Sequence, residues 1–206
     1  MEGEKRGPLA EGERVLLFGG TFDPPHNGHI HFLKSAIEAA KPARVVVMPA
    51  CIPPHKAASA TPAALRLAMC ECFKPLFPAL EVSDWEIRQG GKSYTIDTVN
   101  MLEQTYPGAA VYLCVGSDML TTFTEWRSWQ ELLRRTVLVA QSREEGDMPE
   151  LRAAARALEA EGGRVLFTQT PALPLASTEL RTHRRDLSLV PAAARRVIEE
   201  NHLYER

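Results

Sequence analysis

The sequence predicts an α/β fold, with a doubly wound, mostly parallel sheet and a small helical C-terminal part. Three observations carry that expectation. Short apolar runs recur at Val15-Leu16-Leu17-Phe18, Val45-Val46-Val47-Met48, residues 110–115 and Val137-Leu138-Val139-Ala140, and each reads as a buried strand. Amphipathic runs lie between them, and a strand–helix–strand order makes a right-handed crossover with a parallel pair. The first strand ends in Gly19-Gly20, a turn that lets the chain enter a helix at the carboxyl edge of the sheet.

At 206 residues the chain is long enough for one sizeable core, so residues 14–206 are expected to form a single domain. Residues 1–13, MEGEKRGPLAEGE, are polar and Gly-rich, lack the apolar stretch of a signal peptide and are expected to be disordered. No apolar run reaches transmembrane length, which argues against a membrane partner. The net charge of −2 offers no global basic field, so nucleic acid is not expected and an anionic ligand must be met by a local cluster. Cys51, Cys70, Cys72 and Cys114 have no zinc spacing and read as free thiols, which suits a cytoplasmic protein. Oligomeric state stays open, a homo-oligomer included.

Taken in order, the first strand leads through Thr21, Asp23, Pro24 and Pro25 to His26-Asn27-Gly28-His29. An amphipathic helix follows through Ile30, Leu33, Ala36, Ile37 and Ala40. With both histidines in the first turn their rings share a face, beside the unpaired N–H groups and positive dipole end that favour an anion. Gly19, Gly20 and Gly28 let a ligand approach the backbone, and imidazoles donate to phosphate oxygens without a fixed charge.

Residues 44–49 read as a second strand, followed by a Pro-rich loop holding His55 and Lys56, either solvated or reaching for phosphates. Residues 61–74 read as a helix with Thr61 as N-cap, Pro62 at N1 and an inner stripe of Leu65, Ala68, Met69 and Cys72. Arg66 reads as a surface or capping charge. A strand over 80–87 and a polar turn over 88–95 precede a helix over 95–106. Tyr94 reads as half-buried core and Thr95 as a cap. The strand at 110–115 ends in Gly116-Ser117-Asp118, where Gly116 clears space and Asp118 can accept from ribose hydroxyls, while Ser117 or Asp118 can also cap a helix over 119–123.

Trp126 sits in a polar loop and reads as core unless a ligand stacks on it; Trp129 reads as core. A strand over 136–140, a charged loop with Arg143, an Ala-rich helix over 149–160 and a last strand over 164–167 follow. Pro171 and Pro174 force an extended entry to a helix capped by Ser177 or Thr178, with Arg181 one turn in, which makes a second anion site or a plain capped helix. A terminal helix covers 191–203.

The run GGTFDPPHNGH resembles the signature of the HxGH nucleotidyltransferases, and within that superfamily it is most similar to bacterial nicotinate mononucleotide adenylyltransferases. Ser93-Tyr94-Thr95, Gly116-x-Asp118 and Ser177-Thr178-x-x-Arg181 resemble further family segments. Ala176 replaces a motif serine, and Glu86 and Arg88 stand two apart instead of three. The resemblance implies a Rossmann-like nucleotidyltransferase fold and adenylyl transfer from ATP to nicotinate mononucleotide. It implies that His26, His29, Lys56 and Arg181 are catalytic, and that Gly19, Gly20, Gly28, Gly116, Asp118, Ser177 and Thr178 bind ATP. It further implies that Thr21, Tyr94, Thr95 and Trp126 hold the mononucleotide, and that Mg²⁺ arrives with ATP and needs no all-protein site. A sister enzyme with a nicotinamide mononucleotide or phosphopantetheine acceptor, or a non-catalytic nucleotide sensor, stays open.

Overall fold

The computed structural model describes residues 12–54, 58–142, 146–170, 173, 175–182 and 186–205. In chain order they form β1 (Arg14–Gly20), α1 (Asn27–Ala40), β2 (Arg44–Pro49), α2 (Ala63–Cys70), β3 (Leu80–Val82), α3 (Trp85–Gln89), α4 (Thr95–Thr105), β4 (Ala110–Val115) and α5 (Ser117–Thr121). α6 (Trp129–Arg135), β5 (Thr136–Ala140), α7 (Met148–Ala160), β6 (Val165–Phe167), α8 (Ser177–Thr182) and α9 (Ala192–Glu200) complete the fold.

The strands make one sheet in the order β3-β2-β1-β4-β5-β6, and every neighbouring pair is parallel. The sheet is therefore wholly parallel, a step beyond the expected mixture. The winding reverses between β1 and β4, and a crevice opens at the carboxyl ends of those two strands.

Each face of the sheet carries its own core. Val15, Leu17, Val46, Leu113 and Leu138 pack with Val99 and Leu102 of α4, Leu132 of α6 and Leu151 of α7. Leu16, Phe18, Val45, Val47 and Val139 pack with Leu33 and Ala36 of α1, Met69 of α2 and Ile198 of α9. The strict alternation of faces along β1 follows from the strand's two-residue period. α9 closes the second core, so the C-terminal helix is part of the domain and not an appendage.

Several expected boundaries move. The strand over 80–87 stops at Val82, and Trp85 to Arg88 belong to α3, where Arg88 pairs with Asp84 at 2.9 Å one turn back. Pro62 stands just before α2 instead of inside it, and after Cys70 the chain tightens into a 3₁₀ turn over Glu71–Leu76, where Pro75 lacks the N–H an α-helix would use. Of the expected inner stripe, Met69 and Cys72 are buried, Cys72 in the turn after α2, whereas Leu65 and Ala68 are only half-buried and Arg66 and Cys70 take their place. Gly116, not Ser117 or Asp118, is the residue that precedes α5. Trp129 is half-buried, and the terminal helix is shorter than 191–203. Gly12 and Glu13, expected to be disordered, are already tied to the sheet: Gly12 N–H donates to Gly108 O at 3.1 Å, and Ala110 N–H to Glu13 O at 2.8 Å. Residues 1–11 lie outside the described set. The four cysteines are unbridged, as expected.

Candidate active site

The site grows from the end of β1. After Gly19-Gly20 the chain turns through Thr21 and through Phe22, which takes φ 50° and is buried, to Asp23. The Phe22 ring occupies the space over Gly20, where a Cβ would stand 2.9 Å from the ring, so Gly20 is required by this packing. Phe22 in turn meets Phe73 at 5.3 Å and His29 at 5.2 Å, edge to face.

His26 and His29 cap α1 for each other. His26, extended and just before the helix, takes the His29 N–H on Nδ1 at 3.3 Å; His29, three residues on, takes the His26 N–H on Nδ1 at 3.1 Å. This is a capping box built from two imidazoles, satisfying two N–H groups at the helix start. The rings stack with centroids 3.7 Å apart and planes 27° off parallel. An Nδ1 that accepts carries no proton, so each neutral ring holds its hydrogen on Nε2 and is a donor there. Burial pushes the His26 imidazole down to about 4, which keeps it neutral at pH 7. Gly28 belongs to the same device: a Cβ there would stand 2.9 Å from Nδ1 of His26.

His26 lines an open cleft together with Gly28 and Phe32 of α1, Gly116 and Ser117 after β4, Gln141 after β5, and Leu173 and Leu175. These come from the carboxyl ends of neighbouring strands at the point where the winding reverses. Asp118 is exposed beside it, with its Oδ1 3.1 Å from where a Cβ on Gly116 would be.

The start of α8 docks on the turn after β1. Ser177 Oγ donates to Pro24 O at 2.9 Å, Arg181 Nη1 donates to Asp23 O, and Arg181 Nη2 donates to Thr178 Oγ1 at 3.1 Å. The Arg181 guanidinium also stands 3.8 Å from the Asp23 carboxylate. Asp23 is buried, and it takes the Ser59 hydroxyl at 2.7 Å and the Tyr204 hydroxyl at 2.6 Å. Burial alone would raise its carboxyl, but hydrogen bonds from Thr61, Tyr204 and Ser59 and the charge of Arg181 outweigh that and hold it below the ordinary value.

A second group lies at the start of α4. Tyr94 and Trp126 are half-buried and pack against the same core cluster; the Arg127 guanidinium lies 4.6 Å over the Tyr94 ring, so the two segments adjoin. Trp126 meets Phe123 at 5.2 Å. Thr95 is the first residue of α4 and half-buried, as is Thr21. Lys56 lies outside the described residues, as do His55, Arg143, His183, Arg184 and Arg185.

The sequence reading missed four residues around these groups. Arg66 is fully buried, and its guanidinium donates to Thr21 O at 2.8 Å, Ala50 O at 2.7 Å and Cys51 O at 3.1 Å, pinning the loops after β1 and β2 together. The signal was present: 66, 69, 70 and 73 follow the i, i+3, i+4, i+7 spacing of a buried face. Glu86 is buried and takes the hydroxyls of Thr98 and Ser93, with burial raising its carboxyl; it braces the start of α4. Arg88, by contrast, is exposed. Asp23 stands inside the opening motif, where nothing local assigns it a role. Gln141 had no local signal at all.

A family model described as cytidylyltransferase-like matches residues 17–183. A probable nicotinate-nucleotide adenylyltransferase of Neisseria meningitidis (serogroup C, serotype 2a) is 36% identical over 203 residues, covering 94% of this chain and all of the relative. One from Exiguobacterium sibiricum is 34% identical over 195 residues, covering 93% of this chain and 98% of the relative. Among solved structures, the Plasmodium falciparum nicotinic acid mononucleotide adenylyltransferase complexed with NaAD superposes with a TM-score of 0.74 at 16% identity, over 93% of this chain and 97% of that one. A Vibrio parahaemolyticus putative nicotinate-nucleotide adenylyltransferase gives a TM-score of 0.62 at 17% identity, over 93% of this chain and 95% of that one. At such identities the superpositions establish the shared fold.

Proposed function

The chain belongs to the cytidylyltransferase-like family, and within it to the nicotinate-nucleotide adenylyltransferases, and from that premise we infer that it joins ATP and nicotinate mononucleotide to give nicotinate adenine dinucleotide and pyrophosphate, a step of NAD biosynthesis. In this reaction a phosphate oxygen of the mononucleotide bonds to the α-phosphorus of ATP, and the bond from that phosphorus to the bridging oxygen breaks as pyrophosphate leaves. The nucleophile is an anion at pH 7 and needs no base. The work left to the protein is to bring two polyanions together and to stabilise charge as it develops.

One observation carries the reading: the reciprocal cap that leaves His26 and His29 as Nε2 donors at the start of α1, beside a cleft at the sheet's switch point. The cleft suits the base and ribose of ATP. Gly28 and Gly116 line it, Phe32, Leu173 and Leu175 supply apolar wall, and Asp118 beside it offers an acceptor for ribose hydroxyls. The triphosphate then runs past His26 and His29, over Gly19, toward the start of α8. There Thr178 and Arg181 add polar contact and charge, and Lys56 is a further positive charge for the phosphates. Thr21, Tyr94, Thr95 and Trp126 hold the mononucleotide, with Trp126 as a flat surface for the pyridine ring.

Among the described residues no cluster of three or more His, Cys, Asp or Glu gathers to hold a metal. A Mg²⁺ ion brought in by the triphosphate would neutralise phosphate charge. No described helix is long and apolar enough to cross a membrane. The unbridged thiols suit a reducing compartment, in keeping with a cytoplasmic metabolic step.

The test is pyrophosphate release from ATP with nicotinate mononucleotide, nicotinamide mononucleotide or phosphopantetheine as acceptor. The reading expects the nicotinate compound to give the highest kcat/KM. Nucleotide affinity without pyrophosphate from any acceptor would make the protein a sensor, and preference for another acceptor would make it a sister enzyme.

A further inference from the structure

Gln141 follows β5, is almost fully buried, and lines the same cleft as Gly28 and Gly116. Its side-chain amide is not free to turn. Nε2 donates to the carbonyl oxygen of Thr170 at 3.0 Å. That carbonyl also accepts the Thr168 hydroxyl at 3.3 Å, and the Thr170 hydroxyl pairs with Ser35 on α1, so the partner is itself fixed. A carbonyl oxygen can only accept. Turning the amide over would set two oxygens against each other and give up the bond to Thr170, so the observed orientation is the favoured one.

The orientation decides what the amide offers a ligand in the cleft. It presents Oε1, an acceptor, and the second hydrogen of Nε2 as a neighbouring donor. Adenine carries the matching edge, an exocyclic amino donor next to a ring-nitrogen acceptor, which a glutamine amide meets with two hydrogen bonds. A 6-oxo purine puts a carbonyl oxygen where the amino group was, and its oxygen would face Oε1. A freely rotating glutamine accommodates either base by flipping; one tied to Thr170 does not.

We propose that Gln141, locked by the Thr170 carbonyl, is the residue that selects a 6-amino over a 6-oxo purine nucleotide. This rests on the reading that the cleft holds the base of ATP. The amide also tolerates a cytosine edge, so the diagnostic pair must differ at the one exocyclic atom: ATP and inosine triphosphate.

The experiment measures kcat/KM for both nucleotides, with nicotinate mononucleotide as acceptor, in the wild-type protein and in Gln141→Leu, whose folding is checked by its thermal melt. Wild type prefers ATP by about ten- to a hundredfold, the discrimination one bidentate amide–base pair gives. In Gln141→Leu that preference collapses, chiefly through loss of ATP turnover. A second arm keeps the wild-type chain and determines its structure with a non-hydrolysable ATP analogue; Gln141 Oε1 should lie within hydrogen-bond distance of the exocyclic nitrogen. An unchanged ratio in Gln141→Leu, or a base with no polar atom within about 4 Å of the amide, overturns the proposal. Absence of pyrophosphate from wild type with either nucleotide sinks the parent reading instead, and the bound structure still decides the role of Gln141.

Discussion

The two halves of the site are held in different ways. At the start of α1 the fixed positions come from hydrogen bonds internal to the protein: each histidine satisfies the other's N–H, and Arg66 fastens three carbonyls behind them. At the start of α4 the rings of Tyr94 and Trp126 are half-buried and rest on apolar and cation–π contacts. Directional contacts fix position to a fraction of an ångström, whereas stacked rings can slide. The first half is therefore built for charge stabilisation, which needs donors set before the reaction begins, and the second for grip on a flat ring.

That contrast is open to attack from either side. The largest expected effect is on turnover: His29→Ala should lower kcat by about 10²- to 10³-fold while the KM for ATP moves only a few-fold, since a lost transition-state donor acts on the barrier more than on binding. Steady-state kinetics check this, and an equal change in both parameters would make His29 a binding residue only. Next, Arg66→Met strips the donor from the carbonyls of Thr21, Ala50 and Cys51 and should lower folding stability by on the order of 3 kcal/mol, read from the urea midpoint. A surface arginine would move it within about 0.5 kcal/mol.

The pH dependence of stability probes His26. Its pKa lies at about 4 in the folded chain against an ordinary 6.5, so the unfolded chain binds the proton more readily. The stabilisation is complete above pH 6.5 and is lost as pH falls towards 4, by at most about 3 kcal/mol. Denaturant titrations across that window should show the slope in wild type and its disappearance in His26→Asn, which keeps a capping side chain without the titration.

Smaller effects belong to the second half and to α8. Trp126→Ala should raise the KM for the mononucleotide by about tenfold, with the KM for ATP unmoved, as loss of a stacking face predicts. Parallel changes in both would place Trp126 in the fold instead of the pocket. Ser177→Ala removes the bond to Pro24 O and should cost only about 1 kcal/mol, visible as a slight fall in melting temperature.

The parts of this molecule that were legible in its sequence are those written in local pattern. The buried strands, the glycine turn and the two histidines at a helix entrance declare themselves through periodicity and spacing, and each is found where it was expected. Arg66 was misread because a charge was presumed to face water, although its spacing with Met69 and Cys70 marked the buried face. The strand over 80–87 failed because alternation of apolar residues cannot be told from one turn of helix over so few positions. Asp23, held by Ser59 and Tyr204 from distant parts of the chain, and Gln141, held by Thr170, owe their roles to contacts that only the folded chain makes.

The most direct test of the central claim is the protonation state of the two imidazoles, read by ¹⁵N NMR on histidine-labelled protein. The mutual cap predicts that in both rings the hydrogen sits on Nε2 and Nδ1 is bare, and that His26 stays so until the pH approaches about 4. A hydrogen on Nδ1 of either ring at pH 7, or protonation of His26 near 6.5, would contradict it.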